Sequence, residues 1–117
     1  MNDIDKIYSN KIGISFFWKQ EKEKTERKVQ VVFKEIGFLL TVNELKDFSE
    51  FCIHTIKSQC CNLCPRMQHC KSLLLRTPSD KIDLAVSKNE LFQIHELLNA
   101  TIFKVELATW VKNISLN

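Results

Sequence analysis

Apolar and polar residues alternate over short stretches of this chain, and one such stretch occurs twice. Ile36, Phe38 and Leu40 stand at every second position, as do Ile82, Leu84 and Val86 at an offset of 46 residues; this is the period of a half-buried strand. The correspondence runs without gaps from 36–45 to 82–91, then places Phe48 on Ile94, Glu50 on Glu96, Phe51 on Leu97 and Cys52 on Leu98. Each alternating stretch leads into Thr41-x-x-Glu44 or Ser87-x-x-Glu90. In this capping box the hydroxyl and the carboxylate satisfy free amide donors in the first turn of a helix. Apolar residues at helical spacing follow, with Leu45, Phe48, Cys52 and Ile56 in one copy and Leu91, Ile94 and Leu98 in the other.

Each copy also has an upstream strand. Residues 28–33 carry Val29, Val31 and Phe33 on one side, with Lys34-Glu35 as a tight turn; residues 72–77 precede turn chemistry at Pro78-Ser79-Asp80-Lys81. The chain is thus expected to be one α+β domain built from two β-β-α repeats. Repeat unit one spans 28–58 and repeat unit two 72–100, joined by a cysteine-bearing loop at 59–71 and followed by a C-terminal segment at 101–117. A further strand is expected over 11–18 (Ile12, Ile14, Phe16, Trp18), and the mixed charges of 19–27 suit a solvated connection. Residues 101–112 fit a helix through Phe103, Leu107, Trp110 and Val111, or a strand through Val105, Leu107, Thr109 and Val111, with the helix preferred. The expected architecture is a single antiparallel sheet of about five strands with two helices packed on one face. Its other face would carry Gly37, Leu39, Asp83 and Ala85, open to solvent or to a second subunit as a homodimer.

The segments 31–48 and 73–98 resemble a group of small bacterial α+β domains of unknown function. The shared features are two strands with a tight turn, a Thr/Ser-x-x-Glu cap, and a repeat of that unit after an arginine-containing strand. The resemblance implies the fold and carries no activity.

Bulk composition changes the picture little until the cysteines are located. At 117 residues, 44% apolar and 26% charged, the chain suits one ordinary globular domain. No apolar run reaches the roughly 18 residues that a membrane span needs, and the N-terminus lacks the pattern of a secretion signal. A cytoplasmic location is therefore expected, where thiols stay reduced and clustered cysteines read as ligands or redox groups. Gly13 and Gly37 are the chain's only glycines, so no phosphate-cradling glycine loop can be assembled. The net charge of +3 is local: 51–79 contains no Asp or Glu but holds Lys57, Arg66, Lys71 and Arg76. That excess suits thiolate ligands; a nucleic-acid interface is the weaker reading, since four charges make a small footprint.

The chemistry is concentrated at Cys60-Cys61-Asn62-Leu63-Cys64-Pro65-Arg66-Met67-Gln68-His69-Cys70. Cys61, Cys64 and Cys70 form the core of a candidate metal site, because Cys-x2-Cys brings two sulfurs onto one ion. Cys60, His69 or Cys52 would complete it, although the repeat also places Cys52 on the buried stripe of its helix as a small hydrophobe. The Cys-x2-Cys-x5-Cys spacing is similar to the ligand run of auxiliary iron–sulfur domains of radical enzymes, and Pro65 after Cys64 resembles ferredoxin-type runs. The glycine pair and later cysteine of those domains are missing. Zinc and an iron–sulfur cluster both remain open, as do thiol redox chemistry and unligated cysteines. His54 is expected at the surface and His95 beside the apolar stripe, and no Ser/His/Asp or paired-carboxylate arrangement stands out. The sequence therefore points to a non-catalytic metal- or cluster-binding protein with an unidentified protein partner, or to an interaction module with free cysteines.

Overall fold

The computed structural model describes residues 3–19, 27–59 and 73–115. Among the described residues, six strands and two helices follow in the order β1 (Ile4–Ser9), β2 (Gly13–Trp18), β3 (Val29–Phe33), β4 (Ile36–Leu40), α1 (Val42–Gln59), β5 (Leu73–Arg76), β6 (Asp83–Val86) and α2 (Lys88–Ser115). The two β-β-α units are β3-β4-α1 and β5-β6-α2.

Each unit forms for the reasons written in its sequence. The β3–β4 hairpin turns on Lys34 and Glu35, both left-handed with φ of 52° and 65°, which is the geometry that matches strand twist in a two-residue loop. Both capping boxes close reciprocally. The Thr41 amide donates to Glu44 Oε1 at 2.9 Å while the Glu44 amide donates to Thr41 Oγ1 at 3.1 Å. Ser87 and Glu90 repeat the pair at 2.9 and 3.1 Å. Equivalent residues enter one core: Phe38 with Leu84, Leu40 with Val86, Leu45 with Leu91, Phe48 with Ile94, and Cys52 with Leu98. Ile36 and Ile82 fall outside it, so the inward face of each alternating stretch begins two residues later than expected.

The expected single sheet of about five strands is corrected. Four strands form one antiparallel sheet in the order β1-β2-β3-β4, and β5 and β6 form a separate two-stranded sheet. The free edge of β3 is taken by β2, not by the second unit. β5 packs instead against α1, which also touches β4 and α2, while α2 covers β1 and β2. β1 was not foreseen. It pairs with β2 through a bulge between Lys6 and Tyr8, which shifts its side chains by one position.

The β2 register sorts its apolar residues in an unexpected way. The hydroxyls of Ser15 and Thr101 sit 2.6 Å apart in the interior, so Ser15 and Phe17 point toward α2. By strand alternation, Ile14, Phe16 and Trp18 line the opposite face. There Phe16 meets Trp18 edge-on at 5.1 Å, and the Trp18 indole donates to Gln30 Oε1 at 3.1 Å. The preference for helix beyond residue 100 holds: α2 continues without interruption through Ser115, so the second unit and the C-terminal segment share one element.

Candidate functional site

The sulfur-rich run lies between the end of α1 and the start of β5. Cys60, Cys61, Cys64, His69 and Cys70 lie outside the described residues, as do Arg66 and Lys71. Their two anchors are described: α1 reaches Gln59, β5 begins at Leu73, and the two elements pack on each other. Lys57 and Arg76 flank the run, both exposed, with the Arg76 guanidinium 5.5 Å above the Phe51 ring.

Cys52 is the one candidate ligand whose surroundings are visible. It is 0% exposed and sits in the shared core at the position Leu98 fills in the second unit. Burial among apolar side chains pushes its thiol up to about 12, because the charged form has lost water without gaining a partner. Among the described residues, no group of three or more His, Cys, Asp or Glu is arranged to hold a metal ion.

The histidines separate by environment. His54 is exposed, as expected. His95 has a partner one helical turn on, at an i, i+4 spacing that the sequence does offer: Ser49 donates to Asn99 Oδ1 at 2.6 Å, and Asn99 Nδ2 lies 3.0 Å from His95 Nε2. Asn99 Oδ1 already accepts from Ser49, so Nδ2 donates to an imidazole nitrogen that holds no proton. Burial lowers the His95 pKa, in keeping with that neutral form. The chain ties α1 to α2. Ser49 gives its proton to an amide oxygen, not to an imidazole, so it is not an activated nucleophile.

A second polar cluster, also unforeseen, fastens the first hairpin to α2. Asn10 Oδ1 accepts from the amides of Ile12 and Gly13 at 3.1 and 3.2 Å, closing the β1–β2 turn. Asn10 Nδ2 donates to the Gln93 carbonyl and to Glu96 Oε1, each at 3.0 Å. Tyr8 donates to Glu96 Oε2 at 2.9 Å. The Asn10 and Tyr8 donors hold the Glu96 carboxyl below its usual range, and the bond to Glu96 raises the Tyr8 phenol. These partners are 86 and 88 residues apart, a separation at which no local pattern can announce them. The cluster orients a hairpin and holds no reacting group.

No described helix is long and apolar enough to cross a membrane. Comparison with family models, with curated proteins and with solved structures finds no match to this chain.

Proposed function

We propose that the chain is a small non-catalytic metal-binding protein of the cytoplasm, in which the sulfur donors of 60–70 hold a zinc ion or an iron–sulfur cluster in a structural or sensing role. The observation that carries this reading is the concentration of four cysteines and one histidine in eleven residues, with Cys61, Cys64 and Cys70 at chelating spacing. The burial of Cys52 favours a ligand set drawn from the segment itself, where Cys60 or His69 would supply the fourth donor. The segment connects two elements that touch, so a cation bound there would brace the joint between the repeats. Lys57 and Arg76 add positive charge at its two ends, which stabilises thiolate.

The test is metal analysis and an absorption spectrum of untagged protein purified without oxygen. About one equivalent of zinc in a colourless sample, or a band near ~400 nm from an iron–sulfur cluster, is expected. Replacing Cys61, Cys64 and Cys70 by Ala should abolish the metal and lower the melting temperature by several degrees. Well under half an equivalent of any metal refutes the reading.

A second reading, a protein-interaction module whose cysteines are free, is favoured by one observation. The distal part of α2 exposes Phe103, Leu107, Trp110, Val111 and Ile114 together. Together they make an apolar patch toward the upper end of what a soluble monomer ordinarily leaves uncovered, the size at which such patches are often functional.

A further inference from the structure

α2 is apolar on two opposite sides, and only one of them is covered. Its first turns bury Leu91, Ile94, Leu97, Leu98 and Thr101 against the body. At 3.6 residues per turn, Phe103, Leu107, Trp110, Val111 and Ile114 fall on the far side of the cylinder. Every residue from Leu107 to Ile114 is exposed, beyond the ion pair of Glu106 with Lys46 on α1, so the helix outruns the domain that supports it. Phe103 and Trp110 are 65% and 61% exposed. Local propensity does not account for a helix here, since Thr109, Trp110, Val111, Asn113 and Ile114 are all middling or poor helix formers. In proteins such stretches owe their helicity to packing of an apolar face.

We infer that this stripe pairs with the same stripe on a second copy of the chain, as an antiparallel helix pair related by a two-fold axis. This carries the interaction-module reading forward to the identity of the partner, and it does not depend on a bound cation. Four observations favour a second copy. The spacing of Phe103, Leu107, Trp110 and Ile114 is four, three and four residues, which reads the same in both directions. A two-fold axis therefore sets Phe103 on Ile114 and Leu107 on Trp110, apolar on apolar at every step. The flanking positions are compatible in the same alignment: Lys104 falls beside Val111 and Glu106 beside Asn113, so no like charges meet. The five side chains expose roughly 500 Å² per copy, or about 1,000 Å² across the pair, which reaches the lower limit for a specific interface. Finally, the outer face of the four-stranded sheet, another surface open to a second copy, is better covered, with Phe16 buried, Ile14 and Trp18 only half-exposed and Leu39 44% exposed. A membrane surface fits less well, because the distal helix offers only Lys104 and Lys112 against Glu106, far from a polybasic face.

The experiment is sedimentation equilibrium of the full chain from about 1 to 100 µM, where an interface of this size associates, with Leu107→Glu and Trp110→Ala beside the parent. A reversible dimer is expected, weakened about 30-fold or more by each change, with the far-UV circular dichroism of the dilute protein intact. X-ray scattering should give the dimer a longest dimension well beyond the monomer's 53 Å, since antiparallel pairing sets the two bodies at opposite ends. A protein that stays monomeric at the top of the range overturns self-pairing, and leaves the surface to a foreign partner. A dimer indifferent to Leu107→Glu removes the stripe from the interface and from the interaction reading together. Monomers that bind phosphatidylserine vesicles through Leu107 overturn it in favour of a membrane.

Discussion

The two β-β-α units begin alike and finish differently. Both run strand, tight turn, strand and capping box into a helix, and the same positions enter the core from each. Yet β3–β4 is widened by a second hairpin into a four-stranded sheet, whereas β5–β6 remains a pair of four-residue strands leaning on α1. α1 stops at Gln59 and hands the chain to the cysteine run, while α2 continues for 28 residues and outlasts its own support. Local sequence thus writes the unit, and what each unit is joined to decides its extent. The helix of the second unit lies on the hairpin added to the first, so the halves are interlaced.

The added hairpin is the sharpest difference, and Gly13 is where it is most easily broken. A Cβ there would lie 2.1 Å from the Val32 carbonyl oxygen and 2.7 Å from Phe33 Cβ, a backbone clash that no rotamer relieves. Gly13→Ala is expected to cost about 3 kcal/mol or more, read as a large drop in urea midpoint or as failure to fold. A loss below 1 kcal/mol would mean that β2 does not lie against β3 as described. The shared feature gives the next test. Thr41→Ala and Ser87→Ala each remove one half of a closed capping box, and equal losses of about 1 kcal/mol are expected in chemical denaturation. A clearly smaller loss for Ser87→Ala would show that the Lys34 ammonium, 2.9 Å from Glu90 Oε2, holds the second helix start without its hydroxyl.

The smallest effect concerns position 95, where the second unit has an imidazole and the first has Ser49. The folded-state pKa of His95 is lowered from its ordinary 6.5, so below that value the unfolded chain takes up a proton that the native chain resists. Stability should therefore be full above pH 6.5 and fall as the pH drops through it. In His95→Gln that decline should flatten, seen as a urea midpoint that changes less between neutral and mildly acidic buffer. An unchanged slope would place the acid sensitivity elsewhere.

What could be read from the chain follows the same division. The capping boxes, the core stripe and the place of Cys52 within it were legible because each rests on residues a few positions apart. β1 was not, because its bulge brings the adjacent Ile7 and Tyr8 both against the core, which breaks the period of two. The split into two sheets was not legible either, since β-strand edges carry no local mark of which neighbour they will accept. Of the candidate site, the sulfur run was conspicuous by type and spacing alone. The clasp of Tyr8, Asn10 and Glu96 has no such signature.

That clasp sets an order of events at the ribosome. The β1–β2 hairpin is gripped by a helix made much later, so the side of β2 bearing Ser15 and Phe17 waits until Thr101, 86 residues on, is available to meet Ser15. Pairings of such long sequence separation slow the final step of folding. A nascent chain halted before α2 would leave Ser15 and Phe17 without the helix that shields them, so the later element is the one that rescues the earlier.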